Sequence, residues 1–381
     1  MAATIAQTFV DAWNALSATE YPEFAEITAS RSGDDVILTA DVAGRPFTAT
    51  LTPLEANLSA ADAQTIEGVG TATTGATTTT STGPNDWSTA GNWSDGAVPV
   101  DSDIVFIEDS DDEILYGLSQ TSIDLTALHI LASFTGKIGL PKWNPNGYAE
   151  YRTEFLSLGT ATTLKIGYGP GAGSGALKIS VGSNACTCDV NRTAPTVEEG
   201  VPSLLWKGTH ANNVLNVNRG FVGVATFAGE TATIATLRVG YVASRERDSQ
   251  VVCGSGVTLT TIEQTGGQLE VESNVTTAKV RGGALTVKGS ATVTTLNAGI
   301  PNQKEPNLIR ATCYYNTSGT LTTANLYPGA VLDLEQDNRA RTITTLNVFR
   351  LTKVNNRLGN AVITTLSPAG GATPVEFELN F

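Results

Sequence analysis

The sequence predicts a mainly β protein: a right-handed parallel β-helix, or β-solenoid, preceded by a small α+β domain. Three observations predict it. A six-residue pattern recurs between residues 234 and 366. A glycine turn and a second strand often stand between copies. The composition is poor in charge and rich in threonine and glycine. The pattern is an apolar residue, two small polar residues, an apolar residue, any residue, then an apolar residue. It reads Ile234-Ala-Thr-Leu237-Arg-Val239, then Val275-Thr-Thr-Ala278-Lys-Val280 and Val293-Thr-Thr-Leu296-Asn-Ala298. It returns as Leu321-Thr-Thr-Ala324-Asn-Leu326, Ile343-Thr-Thr-Leu346-Asn-Val348 and Ile363-Thr-Thr-Leu366. A weaker copy, Leu259-Thr-Thr-Ile262, carries Gln264 in its last apolar slot.

The second threonine slot falls at 236, 261, 277, 295, 323, 345 and 365, so the steps are 25, 16, 18, 28, 22 and 20. Unequal steps of about twenty are those of stacked coils with loops of different length. A straight strand alternates with period two. Two apolar positions three apart therefore require a bend at the Thr pair, with apolar residues pointing inward on both sides. Threonine is β-branched and suits a half-exposed pleated site. The second strands follow glycines, as in Gly267-Gln-Leu269-Glu-Val271, Gly283-Ala-Leu285-Thr-Val287 and Gly329-Ala-Val-Leu332-Asp-Leu334. Turn, strand, corner and strand make one rung, and each rung buries its apolar faces against its neighbours.

Composition narrows the function classes. The chain has 381 residues, 41% of them apolar, enough for a sizeable core. Only 16% are charged and 38 are glycine, which suits a β-rich extracellular or virion protein better than a helical cytosolic enzyme. A net charge of −14 argues against nucleic acid, because phosphate binding needs a basic face. The cysteines are Cys186, Cys188, Cys253 and Cys313, and the histidines are His129 and His210; no zinc spacing is present. The cysteines read as small buried residues. No signal peptide and no membrane-length apolar run is visible, so any export is expected to be by cell lysis or a dedicated assembly route.

Residues 1–56 read as a separate α+β unit. Ile5, Phe9, Val10, Trp13 and Leu16 have helical spacing over Thr4–Leu16, with Trp13 on the inner face. Three β-like runs follow, Phe24–Ser30, Asp35–Val42 and Pro46–Thr52. The runs Phe9-Val-Asp-Ala-Trp-Asn-Ala-Leu16, Pro22-Glu-Phe-Ala-Glu-Ile-Thr-Ala-Ser30 and Val36-Ile-Leu-Thr-Ala-Asp-Val-Ala-Gly-Arg-Pro-Phe-Thr48 resemble a small module of tailed-phage and prophage structural proteins. The resemblance covers about 50 residues. In that module a further strand precedes the helix. Its absence here implies a sheet edge that a partner could fill by strand addition.

Residues 57–86 read as a Thr-rich linker of low complexity, unable to bury a core. Residues 87–381 read as the solenoid. Its first segment, Trp87-Ser-Thr-Ala-Gly-Asn92-Trp93 through Pro99 to Asp103-Ile-Val-Phe-Ile107, resembles the opening motif of β-helical surface and phage proteins. The two indoles are expected to cap the open apolar end, with a carbohydrate platform as the functional alternative. The register begins early, at Leu125-Thr-Ala-Leu128-His-Ile130 and Ala161-Thr-Thr-Leu164-Lys-Ile166, with a partial copy at Asn212-Asn-Val-Leu215-Asn-Val217. About ten rungs are visible. Insertions are expected at Pro141–Tyr151 with Trp143, within Gly169–His210 with Trp206, and at Gly299–Pro306.

No catalytic pattern stands out. The acidic run Asp101, Asp103, Glu108, Asp109, Asp111, Asp112 and Glu113 lacks the order of a calcium loop and reads as a solvated turn. Glu150 with Glu154, or Asp333 with Glu335, would serve as an acid pair only if they faced each other across a groove. No nucleophile elbow, Cys-His pair or phosphate loop is present. The expectation is a structural virion protein, not an enzyme, with no cofactor and no bound metal: a capsid decoration protein, head fibre or tail-associated fibre attached by its N-terminal domain. The resemblance implies other virion proteins as partners and a homo-oligomer, a trimer in the first instance. The competing reading is a glycan-binding or glycan-cleaving spike or adhesin. Trp13, Trp87, Trp93, Trp143 and Trp206 are the candidate partner or ligand contacts.

Overall fold

The computed structural model describes residues 2–16, 27–40, 85–141, 154–240, 249–301, 310–368 and 377–380. The chain divides into two compact units, Met1–Val98 and Pro99–Phe381. The segment around Trp87 and Trp93 thus belongs with the first.

In the first unit, helix α1 (Ala2–Leu16) lies against an antiparallel hairpin of β1 (Ile27–Ser32) and β2 (Asp35–Ala40). Ala6 and Val10 are buried. Gly33 makes the turn with φ +63°, where a side chain would be strained. Polar side chains fix the helix to the strand. Trp13 Nε1 donates to the Ile27 carbonyl at 2.9 Å. Asn14 uses both ends of its amide on Ala29: Nδ2 donates to the carbonyl at 2.9 Å, and Oδ1 accepts the N–H at 3.0 Å. A side-chain amide here imitates a neighbouring strand. At Ile27 and Ala29 the outer edge of β1 is therefore occupied by helix side chains. The third expected run, 46–52, lies outside the described residues.

The second unit has the connectivity of a β-solenoid. Two series of parallel strands alternate along the chain, and each strand pairs mainly with the next member of its own series. One series carries the Thr pairs. It begins with β3 (Ile104–Ile107), continues through Ser119–Leu131, Leu156–Tyr168, Thr187–Val190 and Val214–Val217, and runs to Ala361–Pro368. The other carries the glycine-turn strands, among them Gln268–Val271, Gly283–Gly289 and Ala330–Asp333, and ends at Phe377–Asn380.

The bend at the Thr pair is written into the register. Val275 pairs with Val293 and Thr277 with Thr295, but Thr276 and Thr294 are skipped. The same skip recurs at 235, 260, 322, 344 and 364. The skipped threonines are exposed, and the apolar slots on either side of them are buried in the inner rungs. One inserted residue turns the chain so that both flanking apolar side chains face the interior. Burying a Val or Leu side chain contributes about 1.5–3 kcal/mol, and the inner rungs from 234 to 348 each repeat this two or three times on this strand alone, with Ala or Gln in the remaining slot where there are two.

The glycine turns are set by close stacking. Gly283 has φ +82°, and a Cβ added there would meet the Gly267 carbonyl oxygen at 2.4 Å. Gln264, in an apolar slot, is fully buried. Its Nε2 donates to the carbonyls of Gly266 and Gly267 at 3.2 Å and of Ala284 at 3.0 Å, which offsets the desolvation of that end of the amide.

Two expectations need correction. The segment Gly169–His210 is not wholly an insertion between rungs. Strand Thr187–Val190 pairs with Thr163–Ile166 on one side and Val214–Val217 on the other, so a complete rung stands there. Cys188 fills its apolar slot, which hid it from the pattern. The rung count also begins earlier, at β3. All but the first residue of the insertion at 141–151, and most of that at 299–306, lie outside the described residues. All four cysteines are free and buried, as expected.

Leu285 is buried in the second series. We expect Leu285→Asp to lower unfolding free energy by ~3 kcal/mol or more, because it buries an unpaired charge. A denaturant midpoint equal to wild type would show the register to be wrong there.

Candidate functional site

In each Thr-bearing strand the second threonine and the residue two further on point outward. Strand pairing aligns the latter into one column: Phe106, His129, Lys165, Asp189, Asn216, Arg238, Glu263, Lys279, Asn297, Asn325, Asn347 and Ser367. Rungs repeat every ~4.8 Å, close enough for side chains to bond along the column.

They do so in two stretches. Asn216 Nδ2 donates to Asp189 Oδ1 at 2.5 Å, and Arg238 Nη1 donates to Asn216 Oδ1 at 3.2 Å. Arg238 Nε and Lys279 Nζ then hold the two oxygens of Glu263 at 2.9 and 3.1 Å. Further along, Asn325 Nδ2 donates to Asn297 Oδ1 at 2.9 Å, and Asn347 Nδ2 to Asn325 Oδ1 at 2.8 Å. Hydrogen bonds from Arg238 and then Lys279 hold the Glu263 carboxyl below its ordinary value of 4.5. Its contribution to stability is therefore present above pH 4.5 and lost as pH falls through the lower folded value.

A polar groove of about 590 Å³ lies on the side of the shaft, lined by residues that include Glu272, Lys288, Asn316, Glu335, Asp337 and Arg339. Arg339 braces it across rungs, donating to the Gly289 carbonyl at 2.7 Å, the Asn316 carbonyl at 2.8 Å and the Asp337 carboxylate through Nε at 2.7 Å. Behind it the buried guanidinium of Arg341 donates to the carbonyls of Tyr315, Asp337 and Arg339. Arg339 pulls the Asp337 carboxyl down to about 2. Glycosyl transfer needs one carboxyl kept protonated as general acid, and Asp337 cannot be that group near neutral pH.

The acid pairs considered from sequence are otherwise engaged or not described. Asp333 Oδ1 accepts the Glu335 N–H at 3.0 Å and Oδ2 accepts from Asn355 at 3.1 Å. Glu335 Oε1 accepts the Arg357 N–H at 2.8 Å. Glu150 lies outside the described residues. Glu154 borders a smaller hollow of about 330 Å³, where Lys207 sits 3.7 Å from the Phe155 ring centre and 2.5 Å from Glu230. Beside it Lys178 is buried, with Nζ donating to the Leu140 carbonyl at 2.7 Å. Burial lowers its pKa against the pull of Glu198.

Burial pushes the thiols of Cys186, Cys253 and Cys313 up to about 12, and that of Cys188 upward as well, so none is a nucleophile at neutral pH. Among the described residues no group of three or more His, Cys, Asp or Glu is placed to hold a metal ion, and no helix is long and apolar enough to cross a membrane.

The candidate tryptophans separate. Trp206 is 0% exposed, inside strand Leu204–Lys207, where its indole is part of the core. It was expected in a projecting insertion, and no ligand can reach it there. Trp87 is 1% exposed and meets Trp93 edge-on at 4.7 Å. Trp93 Nε1 donates to the Trp87 carbonyl at 2.8 Å. An indole so buried offers no open face for a sugar ring. Trp13 is half-buried and bonded to β1. Trp143 lies outside the described residues. The column of outward side chains was missed because its slot reads as any residue; the signal was the Thr-x-Asn at 295–297, 323–325 and 345–347. No protein-family model, curated protein sequence or solved structure matches the chain.

Two outcomes follow for the column. Asn325→Ala should cost about 1 kcal/mol, and a double-mutant cycle with Asn347→Ala should show coupling of about 0.5 kcal/mol or more; strict additivity would mean that the amides do not cooperate. Thermal midpoints of wild type and Glu263→Gln should differ above pH 4.5 and converge in acid, and a constant difference down to low pH would contradict the assignment.

Proposed function

We propose that the chain is a structural component of a tailed-phage-type virion: a capsid decoration protein, head fibre or tail-associated fibre. The first unit attaches it, and the solenoid, wound right-handed in keeping with crossover chirality, projects from or braces the particle. The observation that carries this reading is the unbroken parallel stack from β3 to the last rung, with outward side chains bonded from rung to rung. Every rung is held by its neighbours alone, so length is gained without a larger core. A particle exposed to dilution and proteases needs such a rod. The resemblance of residues 1–56 and 87–107 to phage modules supplies the context. Homo-oligomerisation, as a trimer, and contacts with other virion proteins belong to the same proposal.

Among the described residues, a glycan-binding or glycan-cleaving spike draws support only from the polar groove around Asn316 and Arg339. No aromatic residue among the described ones lines it, and stacking on aromatic faces is what a sugar-binding groove is expected to offer.

Density-purified particles from the source culture provide the test. Peptides of this chain are expected there at fixed high copy beside a capsid protein. Its absence from particles, with the protein free or on cells, would overturn the reading.

A further inference from the structure

The two outward columns of the Thr-bearing sheet are largely polar along the shaft, with the small, buried Ala127 and the half-buried Val214 in the threonine column, but the first rung places large exposed apolar side chains in both. There the threonine column begins with Ile104 and the hydrogen-bonded column with Phe106. Ile104 is 55% exposed and Phe106 53%, and Val100 just before them is 58% exposed. Ile104 and Phe106 stand two apart on β3 and share one face, while Val105 and Ile107 between and beyond them are buried normally. This exposure therefore does not come from the stack simply ending. The last rung is different: Leu366 is 41% exposed in an inward slot whose counterparts Leu346 and Ala324 are buried. At β3 apolar residues occupy positions that face solvent by design of the pleat. The Phe106 ring lies 4.8 Å from that of His129 on the next rung, which fixes its direction.

The border of this face is acidic. Asp101, Asp103, Glu108 and Asp109 are all exposed around it. Asp101 and Asp103 are held in place, Asp101 Oδ1 accepting the Asp124 N–H and Asp103 Oδ2 the Val100 N–H, each at 2.8 Å. We propose that the face of Val100, Ile104 and Phe106 docks a protein partner that presents apolar anchors inside a rim of lysine or arginine. Exposed apolar clusters with polar borders mark interaction surfaces, and charge at the border selects the partner. A second copy of this chain would set the same carboxylates against one another. Anionic membrane and nucleic acid would meet the same repulsion. The inference concerns the shaft alone and stands whether or not the chain is carried on a particle.

The test uses the purified full chain. A displayed peptide library with a fixed apolar centre and flanks randomised among Lys, Arg, Asp, Glu and Ser is selected on wild type and on Ile104→Ser/Phe106→Ser. Both substituted side chains face solvent, so the variant should melt near wild type. Wild type should enrich Lys and Arg flanks, and a selected peptide should lose at least tenfold in affinity on the double variant. The proposal is overturned if nothing is enriched, if acidic or neutral flanks win, or if the double variant binds equally well. It is also overturned if sedimentation shows wild type, but not the variant, to self-associate, since the occupant is then a second copy.

Discussion

The structure depends on parallel stacking in register. A rung of this solenoid has no interior of its own; its apolar side chains are covered only when the next rung repeats the same positions. That requirement fixes the skipped threonine, because a single rung bending elsewhere would turn its apolar slots outward against two neighbours. It also fixes the glycines at the second turn, where the Gly283 backbone passes too close to the Gly267 carbonyl for any side chain. The last rung shows the rule by its exception, since the Leu366 slot opens where stacking stops.

Stacking also decides what the outer surface can be. Side chains on neighbouring rungs are forced within hydrogen-bonding reach, so each outward column must be neutral, alternating in sign or internally paired. The column through Glu263 does each in turn: Arg238 and Lys279 flank the carboxylate, and a run of asparagines follows. Like charges at this spacing would repel across every rung. At the first rung this polar rule gives way to Ile104 and Phe106, which makes the exception informative about partners.

Much of the stack was legible because its cause is periodic. Three apolar slots and a Thr pair recur often enough to define the strand, the bend and the inner face. What escaped has a physical reason in each case. Thr187–Val190 was hidden because Cys188 plays the part of an apolar residue in a fully buried slot. Trp206 was placed in an insertion because it falls between the copies of the pattern at 161–166 and 212–217, yet its strand carries it inward. The bonding of Asn14 to Ala29 could not be foreseen, since it depends on how a helix packs on a hairpin, which spacing alone does not set. The groove at Arg339 is likewise built from residues on several rungs whose alignment only the register supplies.

Register is tested most directly by cross-linking. Neighbouring strands bring Cα atoms about 4.8 Å apart, within the span of a disulfide, whereas positions two rungs apart lie about twice as far. The native thiols are buried and inert. Under mild oxidation Asn297→Cys/Asn325→Cys should close a disulfide, and Asn297→Cys/Asn347→Cys should stay reduced, as read by mass spectrometry of the digest. Closure of the second pair as readily as the first, or of neither, would contradict the in-register stack on which the account rests.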